Sequence, residues 1–246
     1  MTAEQTLQRV PSMGIRLRSA IFFVAYNLYG IVHGPLCLLT APFLNYRQRY
    51  AFCNLWTRVT MWLLRHVNGI HVQIEGREHI PENEPMVLMA NHQSQWETFY
   101  LQLLIAPQAT VLKRELLRVP FFGWGLALTR PIAIDRRQPS AALKSILRQG
   151  RQRLDEGIPV MIYPEGTRQP PGRLGKFNPG GAMLACQAGV RVLPIAHNAG
   201  NCWPARSLLK YPGTIRLVIG PPINTQGRKP KDINQQVYDW MERNLP

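Results

Sequence analysis

Residues 86–105 read MVLMANHQSQWETFYLQLLI and join two different hydrophobic patterns. The apolar run 86–90 predicts a buried strand, and the spacing of apolar residues in 98–105 predicts a helix. The turn between them carries His92 and Glu97. On one continuous helix these side chains would point about 140° apart, but a strand that ends at His92 lets the turn bring the carboxylate back to the imidazole. A histidine general base requires such a partner, although a chance neighbour gives the same spacing.

The same two patterns alternate through the rest of the chain. Further strands are predicted at residues 71–75, 131–134, 160–163, 192–196 and 214–219. Further helices are predicted at residues 140–154, 181–188 and 231–243. This alternation predicts a layered α/β domain over residues 69–246, with a largely parallel sheet flanked by helices. Binding sites in such sheets collect in the loops beyond the strand ends.

Residues 1–68 precede this alternation and carry a long apolar run. Residues 19–46 hold no formally charged side chain and are long enough to span a membrane. Gly34 and Pro35 interrupt the run, and arginines flank it on both sides. We therefore predict a membrane-associated helical hairpin on the cytoplasmic face, that of the inner membrane in a bacterium. A single span and a cleaved signal peptide remain alternatives, and residues 50–67 predict an amphipathic helix that lies on the bilayer or packs in the core.

The composition of the 246 residues indicates a polyanionic partner. Lysine and arginine outnumber the acids by 29 to 14, which gives a formal net charge of +15. Nucleic acid, an anionic membrane surface and phosphorylated substrates all fit this charge. A nucleic-acid binder would leave the apolar N-terminal run unexplained. The four cysteines contain no CxxC pair, so neither a metal site nor a disulfide framework is predicted.

A second turn, PEGTR at residues 164–168, follows the predicted strand 160–163. Its glycine permits a tight turn, and its arginine supplies a forked donor suited to phosphate oxygens. Glu165 is expected to hold an arginine in place. A purely structural ion pair gives the same pattern and remains open.

Residues 113–125, which lie between the two turns, combine apolar and aromatic side chains with cations. An acyl chain that bears a polar head would bind such a surface. The predicted strand 131–134 then delivers Arg136 to another strand end. The sequence therefore places cations and apolar surface in the same region.

With these segments in order, the sequence resembles the glycerolipid acyltransferase superfamily, and within it the bacterial 1-acylglycerol-3-phosphate acyltransferases. The family pattern is NHx4D, a block from a lysine through Pro-x-x-Gly to an arginine, a PEGTR turn, and a strand with a V-x-P signature. The resemblance covers roughly residues 70–225. In this chain the first motif is Asn91-His92 with Glu97, and the second runs from Lys113 through Pro120 and Gly123 to Arg136. The PEGTR turn is residues 164–168, and the V-x-P signature is Val192-Leu193-Pro194.

The resemblance implies a role for each matching residue. His92 would be the base that takes the proton of the acceptor hydroxyl, and Glu97 would orient it. The substrate-binding residues would be Lys113, Arg136, Glu165, Gly166, Thr167 and Arg168. Most of them would face the acceptor phosphate. Glu97 departs from the family's usual aspartate, but glutamate also orients histidines in triads on other folds, so we expect function to be retained.

The implied activity is transfer of a fatty acyl group from acyl-CoA or acyl carrier protein to the sn-2 hydroxyl of 1-acylglycerol-3-phosphate. The product would be phosphatidic acid, an intermediate of phospholipid biosynthesis. The expected partners are the lysophospholipid, the acyl thioester, an anionic membrane surface and acyl carrier protein, without nucleic acid, cofactor or metal. Another lysolipid acceptor, or a non-catalytic protein that binds lysolipid or membrane, remains an alternative.

Overall fold

The computed structural model describes residues 10–82 and 84–246. Their strands are β1 (Ile70–Glu75), β2 (Val87–Ala90), β3 (Ala109–Lys113), β4 (Ile132–Ile134), β5 (Val160–Ile162), β6 (Val192–His197) and β7 (Gly213–Ile219). They form one sheet in the order β1-β7-β6-β2-β5-β3-β4. The strands from β6 to β4 are parallel, and β7 runs antiparallel to β6 and parallel to β1. The predicted, largely parallel sheet is confirmed.

The helices are α1 (Met13–Thr40), α2 (Tyr46–Cys53), α3 (Leu55–His66), α4 (Trp96–Leu104), α5 (Phe122–Ala127), α6 (Pro139–Asp155), α7 (Gly180–Ala188) and α8 (Pro230–Asn244). Every strand and helix predicted beyond residue 69 is present, with its ends within two residues of the prediction. Two elements were not predicted, namely β3 and α5. α5 contains two glycines in the six residues FGWGLA, which lower helix propensity.

Alternate residues of β2 divide the hydrophobic core between the two faces of the sheet. Val87 and Met89 pack with residues of α6, α7 and α8, whereas Leu88 and Ala90 pack with residues of α1, α3 and α4. All four side chains are 0% exposed. Burial on both faces is typical of a central parallel strand, and it fixes the point at which the chain leaves β2 for the following turn.

The N-terminal helix α1 continues through Gly34 and Pro35, so the predicted break at these residues is wrong. Pro35 removes one backbone hydrogen bond, but tertiary contacts hold this part of the helix. A methyl group at Gly34 would lie 2.9 Å from Phe121 Cβ, so only glycine allows this approach. On the other side, the His33 ring hydrogen-bonds the Phe52 carbonyl over 3.0 Å.

The chain reverses direction after Thr40, and the predicted helical hairpin forms. Its turn lies at residues 41–45 and not at Gly34 and Pro35. Residues Ala41–Phe43 form a 3-10 helix, and α2 then begins at a capping box between Asn45 and Gln48. α2 and α3 replace the single helix predicted for residues 50–67. They run back along α1, where Trp56 Nε1 donates to the Tyr26 carbonyl over 3.3 Å.

One face of α1 packs against the α/β domain. Phe22 is 1% exposed and belongs to the same core cluster as β2. Lys210 donates its backbone N–H to Ser19 Oγ over 2.9 Å, and its ammonium lies 4.6 Å from the Trp203 ring centroid. Residues 10–68 and the α/β domain therefore share a core, and the division of the chain into units 1–68 and 69–246 stays a prediction.

The opposite face of α1 is apolar and exposed. Its exposed side chains include Leu17, Ile21, Val24, Leu28, Ile31 and Leu39. Residues Met13–Phe43 are the one segment in the described part of the chain that is long and apolar enough to cross a membrane. An exposed apolar face of this kind favours membrane association.

Candidate active site

A cleft of about 940 Å³ lies at the carboxyl ends of the parallel strands. His92 follows β2, residues 164–168 follow β5, Lys113 ends β3, and Arg136 follows β4. Of the predicted site residues, those that line the cleft are His92, Lys113, Arg136, Thr167 and Arg168. The remaining three, Glu97, Glu165 and Gly166, are not part of its lining.

His92 and Glu97 form the side-chain pair that the sequence predicted. His92 Nδ1 lies 2.8 Å from Glu97 Oε1. The two side chains meet because α4 begins only at Trp96, which leaves His92 in the preceding turn. An ionised carboxylate can only accept hydrogen bonds, so the proton of the neutral imidazole lies on Nδ1. The lone pair of Nε2 is therefore free to take a proton.

Glu97 is fully buried and still carries a charge. Burial alone would raise the pKa of its carboxyl, but His197, His92 and the Ser94 N–H outweigh this effect and hold the pKa below its usual value. The backbone N–H groups of Gln93 and Ser94 donate to Oε1 over 2.9 and 2.8 Å. The turn thus accommodates the extra methylene that glutamate has relative to aspartate.

A second histidine, His197, lies buried at the end of β6 and was not identified from the sequence. Asn91 pairs with its main chain, accepting the His197 N–H over 2.9 Å and donating to the carbonyl over 3.0 Å. Its Nδ1 accepts from Ala199 N–H over 3.3 Å, so Nε2 carries the proton and donates to the Asn91 carbonyl over 2.9 Å. Burial lowers the pKa of His197, although the Glu97 charge opposes the shift. His197 therefore fixes Asn91, the residue before His92 in the sequence.

The turn that follows β5 holds the main chain of His92 from both sides. Glu165 Oε2 accepts the His92 N–H over 2.6 Å, and Gln169 N–H donates to the His92 carbonyl over 2.7 Å. The Tyr163 ring stacks on the imidazole with centroids 4.6 Å apart. His92 is therefore fixed through its main chain and its ring as well as through Glu97.

Glu165 does not hold an arginine, so this prediction is wrong. Its Oε1 accepts the Gly175 N–H over 2.8 Å, and the residue is only 6% exposed. A buried carboxylate needs donors close by, and two backbone N–H groups supply them here. Arg136 donates instead to the carbonyl of Gly166, whose φ of 68° requires glycine. This geometry gives neither Glu165 nor Gly166 a direct contact with a phosphate in the cleft.

Arg136 and Arg168 form a cationic wall of the cleft. Burial, followed by the neighbouring charge of Arg168, lowers the pKa of the Arg136 guanidinium. Within residues 10–82 and 84–246, no carboxylate forms an ion pair with either arginine or with Lys113. Neighbouring cations without an ion-pair partner favour a bound anion, and arginine forks match the geometry of phosphate oxygens.

Comparison with known proteins agrees with this chemistry. The family described as Acyltransferase matches residues 71–198, which span the turn at His92, the PEGTR turn and all of β6. The chain belongs to the acyltransferase family. The resemblance found in the sequence motifs is thereby confirmed.

Relatives of this acyltransferase cover most of its length. It is 48% identical to the 1-acyl-sn-glycerol-3-phosphate acyltransferase of Pseudomonas aeruginosa, over 93% of this chain and 90% of the relative. It is 29% identical to a protein of the same name from Limnanthes alba, over 92% and 80% of the two chains. The crystal structure of PlsC, the 1-acyl-sn-glycerophosphate acyltransferase of Thermotoga maritima, matches with a TM-score of 0.78 at 22% identity and 94% coverage of each chain. The two proteins share a fold.

The substitution Glu97→Gln keeps the size of the side chain and removes its charge. We expect kcat for acyl transfer to fall about 100-fold or more, because a neutral amide does not stabilise the imidazolium. The KM values should change little, since Glu97 lies outside the cleft lining. Steady-state kinetics in detergent measure both, with Glu97→Asp as the control that keeps the charge. Wild-type kcat in the Gln variant would contradict the assigned pairing.

We expect the stability of the protein to depend on pH through Glu165. Burial raises the pKa of this carboxyl from 4.5 to about 7, although two backbone N–H groups act to lower it. The folded protein disfavours the ionised carboxyl. The contribution of Glu165 to stability is therefore fully present below about pH 4.5 and is lost as pH rises through about 7.

We expect the melting temperature of the wild type, relative to Glu165→Gln, to fall between about pH 5 and about pH 8. The variant lacks the titrating group, so a series of thermal melts in one detergent isolates its effect. A difference that is constant with pH, or that grows as pH rises, would show that Glu165 does not titrate in this way.

Proposed function

We propose that this acyltransferase transfers a fatty acyl group from a thioester to the sn-2 hydroxyl of 1-acylglycerol-3-phosphate and forms phosphatidic acid. The observation that carries the proposal is the buried His92–Glu97 pair, whose free Nε2 opens on a cleft with a cationic wall. The printed names of the relatives from Pseudomonas aeruginosa and Limnanthes alba support the same acceptor.

The reaction begins when His92 Nε2 accepts the proton of the acceptor hydroxyl. The hydroxyl oxygen attacks the thioester carbonyl carbon and forms a new C–O bond. The C–S bond then breaks, and the leaving sulfur takes the proton from the imidazolium, which regenerates the neutral base. Glu97 remains ionised and stabilises the imidazolium. The products are an ester and a free thiol, and no covalent enzyme intermediate is required.

The acceptor phosphate fits the wall formed by Arg136, Arg168 and Lys113. Its two negative charges would compensate cations that have no ion-pair partner among the described residues. Thr167, which also lines the cleft, can donate its hydroxyl to a phosphate oxygen. A phosphomonoester is favoured over a zwitterionic headgroup, because a choline or ethanolamine cation would be repelled by the same wall.

The acyl chain fits the apolar part of the cleft, whose lining includes Phe99, Val111, Leu112, Phe122 and Leu126. A smaller cavity of about 80 Å³ lies between α1, α3 and α5 and shares Phe99, Phe122 and Leu126 with the cleft. Apolar lining of this kind favours a long hydrocarbon chain, since its burial contributes about 0.8 kcal/mol per methylene.

The proposed setting is the cytoplasmic face of a membrane, the inner membrane in a bacterium. The exposed apolar face of α1 would enter the lipid, and the net charge of +15 would be attracted to an anionic surface. The lysophospholipid is then supplied by the bilayer. The proposed donors are acyl-CoA and acyl carrier protein, and no nucleic acid, cofactor or metal takes part.

Acyl transfer from oleoyl-CoA to 1-oleoylglycerol-3-phosphate in detergent tests this proposal. We expect the wild type and His71→Ala to form phosphatidic acid, because His71 is an exposed residue of β1, outside the cleft lining. His92→Ala should lose activity by about 100-fold or more, since the base is removed.

The same assay with 1-oleoylglycerol-3-phosphocholine tests the acceptor. Transfer to the phosphocholine lipid but not to the phosphomonoester would overturn the proposed acceptor and leave the enzyme class intact. Full activity of His92→Ala would overturn the proposed base.

A further inference from the structure

The reacting carbon of an acyl thioester brings three groups together during transfer. These are the fatty acyl chain, the sulfur arm of the donor and the incoming oxygen of the acceptor. The apolar part of the cleft accommodates the first group, and the wall of Lys113, Arg136 and Arg168 accommodates the headgroup of the third. A third region of the same cleft is lined by Gln93, Gly200 and the residues that surround them.

This third region is built around the loop that follows β6, on the side of His92 away from β3 and β4. In the sheet, β6 is the neighbour of β2 on one side, and β5, β3 and β4 follow in order on the other. Lys113 and Arg136 come from β3 and β4, whereas Arg206 lies in the connection that follows β6. Arg206 therefore approaches the cleft from the β6 side of His92, whereas Lys113 and Arg136 approach it from the other side.

A second arginine reaches the third region from the segment after the PEGTR turn. Gly200, in the loop after β6, donates its N–H to Gln93 Oε1 over 3.3 Å. A methyl group at Gly200 would lie 2.8 Å from Pro171 Cγ and 3.2 Å from Gln93 Cβ. Three segments therefore meet next to His92, and the segments that carry Pro171 and Gly200 also contribute Arg173 and Arg206 to the cleft lining.

Neither Arg173 nor Arg206 has a charge partner in the described part of the chain. Both are exposed and line the cleft, and no carboxylate in residues 10–82 and 84–246 forms an ion pair with them. Arg206 also adopts a φ of 60°, a conformation that is uncommon for residues other than glycine and concentrates at functional sites.

We propose that Arg173 and Arg206 form a second anion subsite, which binds the phosphate of the donor's phosphopantetheine arm. This inference rests on the proposed function and names the donor side of the same cleft. Coenzyme A and acyl carrier protein share this arm and its phosphate, so the shared chemistry explains how one site serves both donors. The thioester would lie at His92, with its acyl chain and its phosphate directed to different regions of the cleft.

Donor kinetics at saturating 1-oleoylglycerol-3-phosphate test the subsite. The variants are Arg173→Gln and Arg206→Gln, and the matched control is Arg148→Gln, an exposed arginine of α6 outside the cleft lining. The donors are oleoyl-CoA, oleoyl-acyl carrier protein, and oleoyl-N-acetylcysteamine, which has the thioester without any phosphate. Removal of one charged hydrogen bond should raise the donor KM about tenfold.

We expect this rise in the two variants with both phosphate-bearing donors, unchanged kinetics with oleoyl-N-acetylcysteamine, and an unchanged acceptor KM. A rise with both donors supports the phosphopantetheine phosphate, whereas a rise with oleoyl-CoA alone would overturn this assignment, because the bound phosphate would be one that only coenzyme A carries. An acceptor KM that rises instead, or kinetics equal to those of Arg148→Gln, would overturn the subsite. Loss of the proposed function would be seen separately, as absence of transfer by the wild type with every donor.

Discussion

A negative charge on Glu97, in a fully buried position, is the constraint on which the site depends. A buried carboxylate is strongly destabilising unless donors surround it. Here the donors are the His92 ring and the N–H groups of Gln93 and Ser94, all directed at one carboxylate oxygen. They converge only if the chain turns sharply between β2 and α4. The fold of this turn and the tautomer of the base therefore have the same cause.

The rest of the sheet holds that turn in place. The Asn91 side chain pairs with the His197 main chain at the end of β6, and Glu165 after β5 accepts the His92 N–H. The two strands that flank β2 thus fix the residues on which the pair is built. The cations of the acceptor wall come from the ends of β5, β3 and β4, whereas the proposed donor subsite combines Arg173, after β5, with Arg206, after β6. All of these residues line one cleft together with His92.

Local patterns in the sequence predicted most of the fold. Strands such as β2 and β5 are short apolar runs, and the helices α6 and α8 are amphipathic. The pattern of each element is therefore visible in the sequence without knowledge of the elements that it packs against. Pro35 was misread because packing of Phe121 and Phe52 against α1 outweighs a local helix-breaking tendency. In the site, His92, Glu97 and the cations were predicted because they belong to motifs. Glu165 was misassigned, and Arg173 and Arg206 were missed, because their places depend on contacts between distant segments, such as that between His92 and Glu165, which are 73 positions apart in the sequence.

The proposed mechanism requires that Glu97 keep the proton of His92 on Nδ1 and leave Nε2 free for the acceptor hydroxyl. Nitrogen NMR of the full chain in detergent, labelled with ¹⁵N-histidine, reports this tautomer directly, and His92→Ala assigns the signal. At a pH where the enzyme is active, we expect a neutral imidazole with a protonated Nδ1 and an unprotonated Nε2. A proton on Nε2 with a bare Nδ1 would contradict it, because Glu97 would then have no hydrogen to accept from the base.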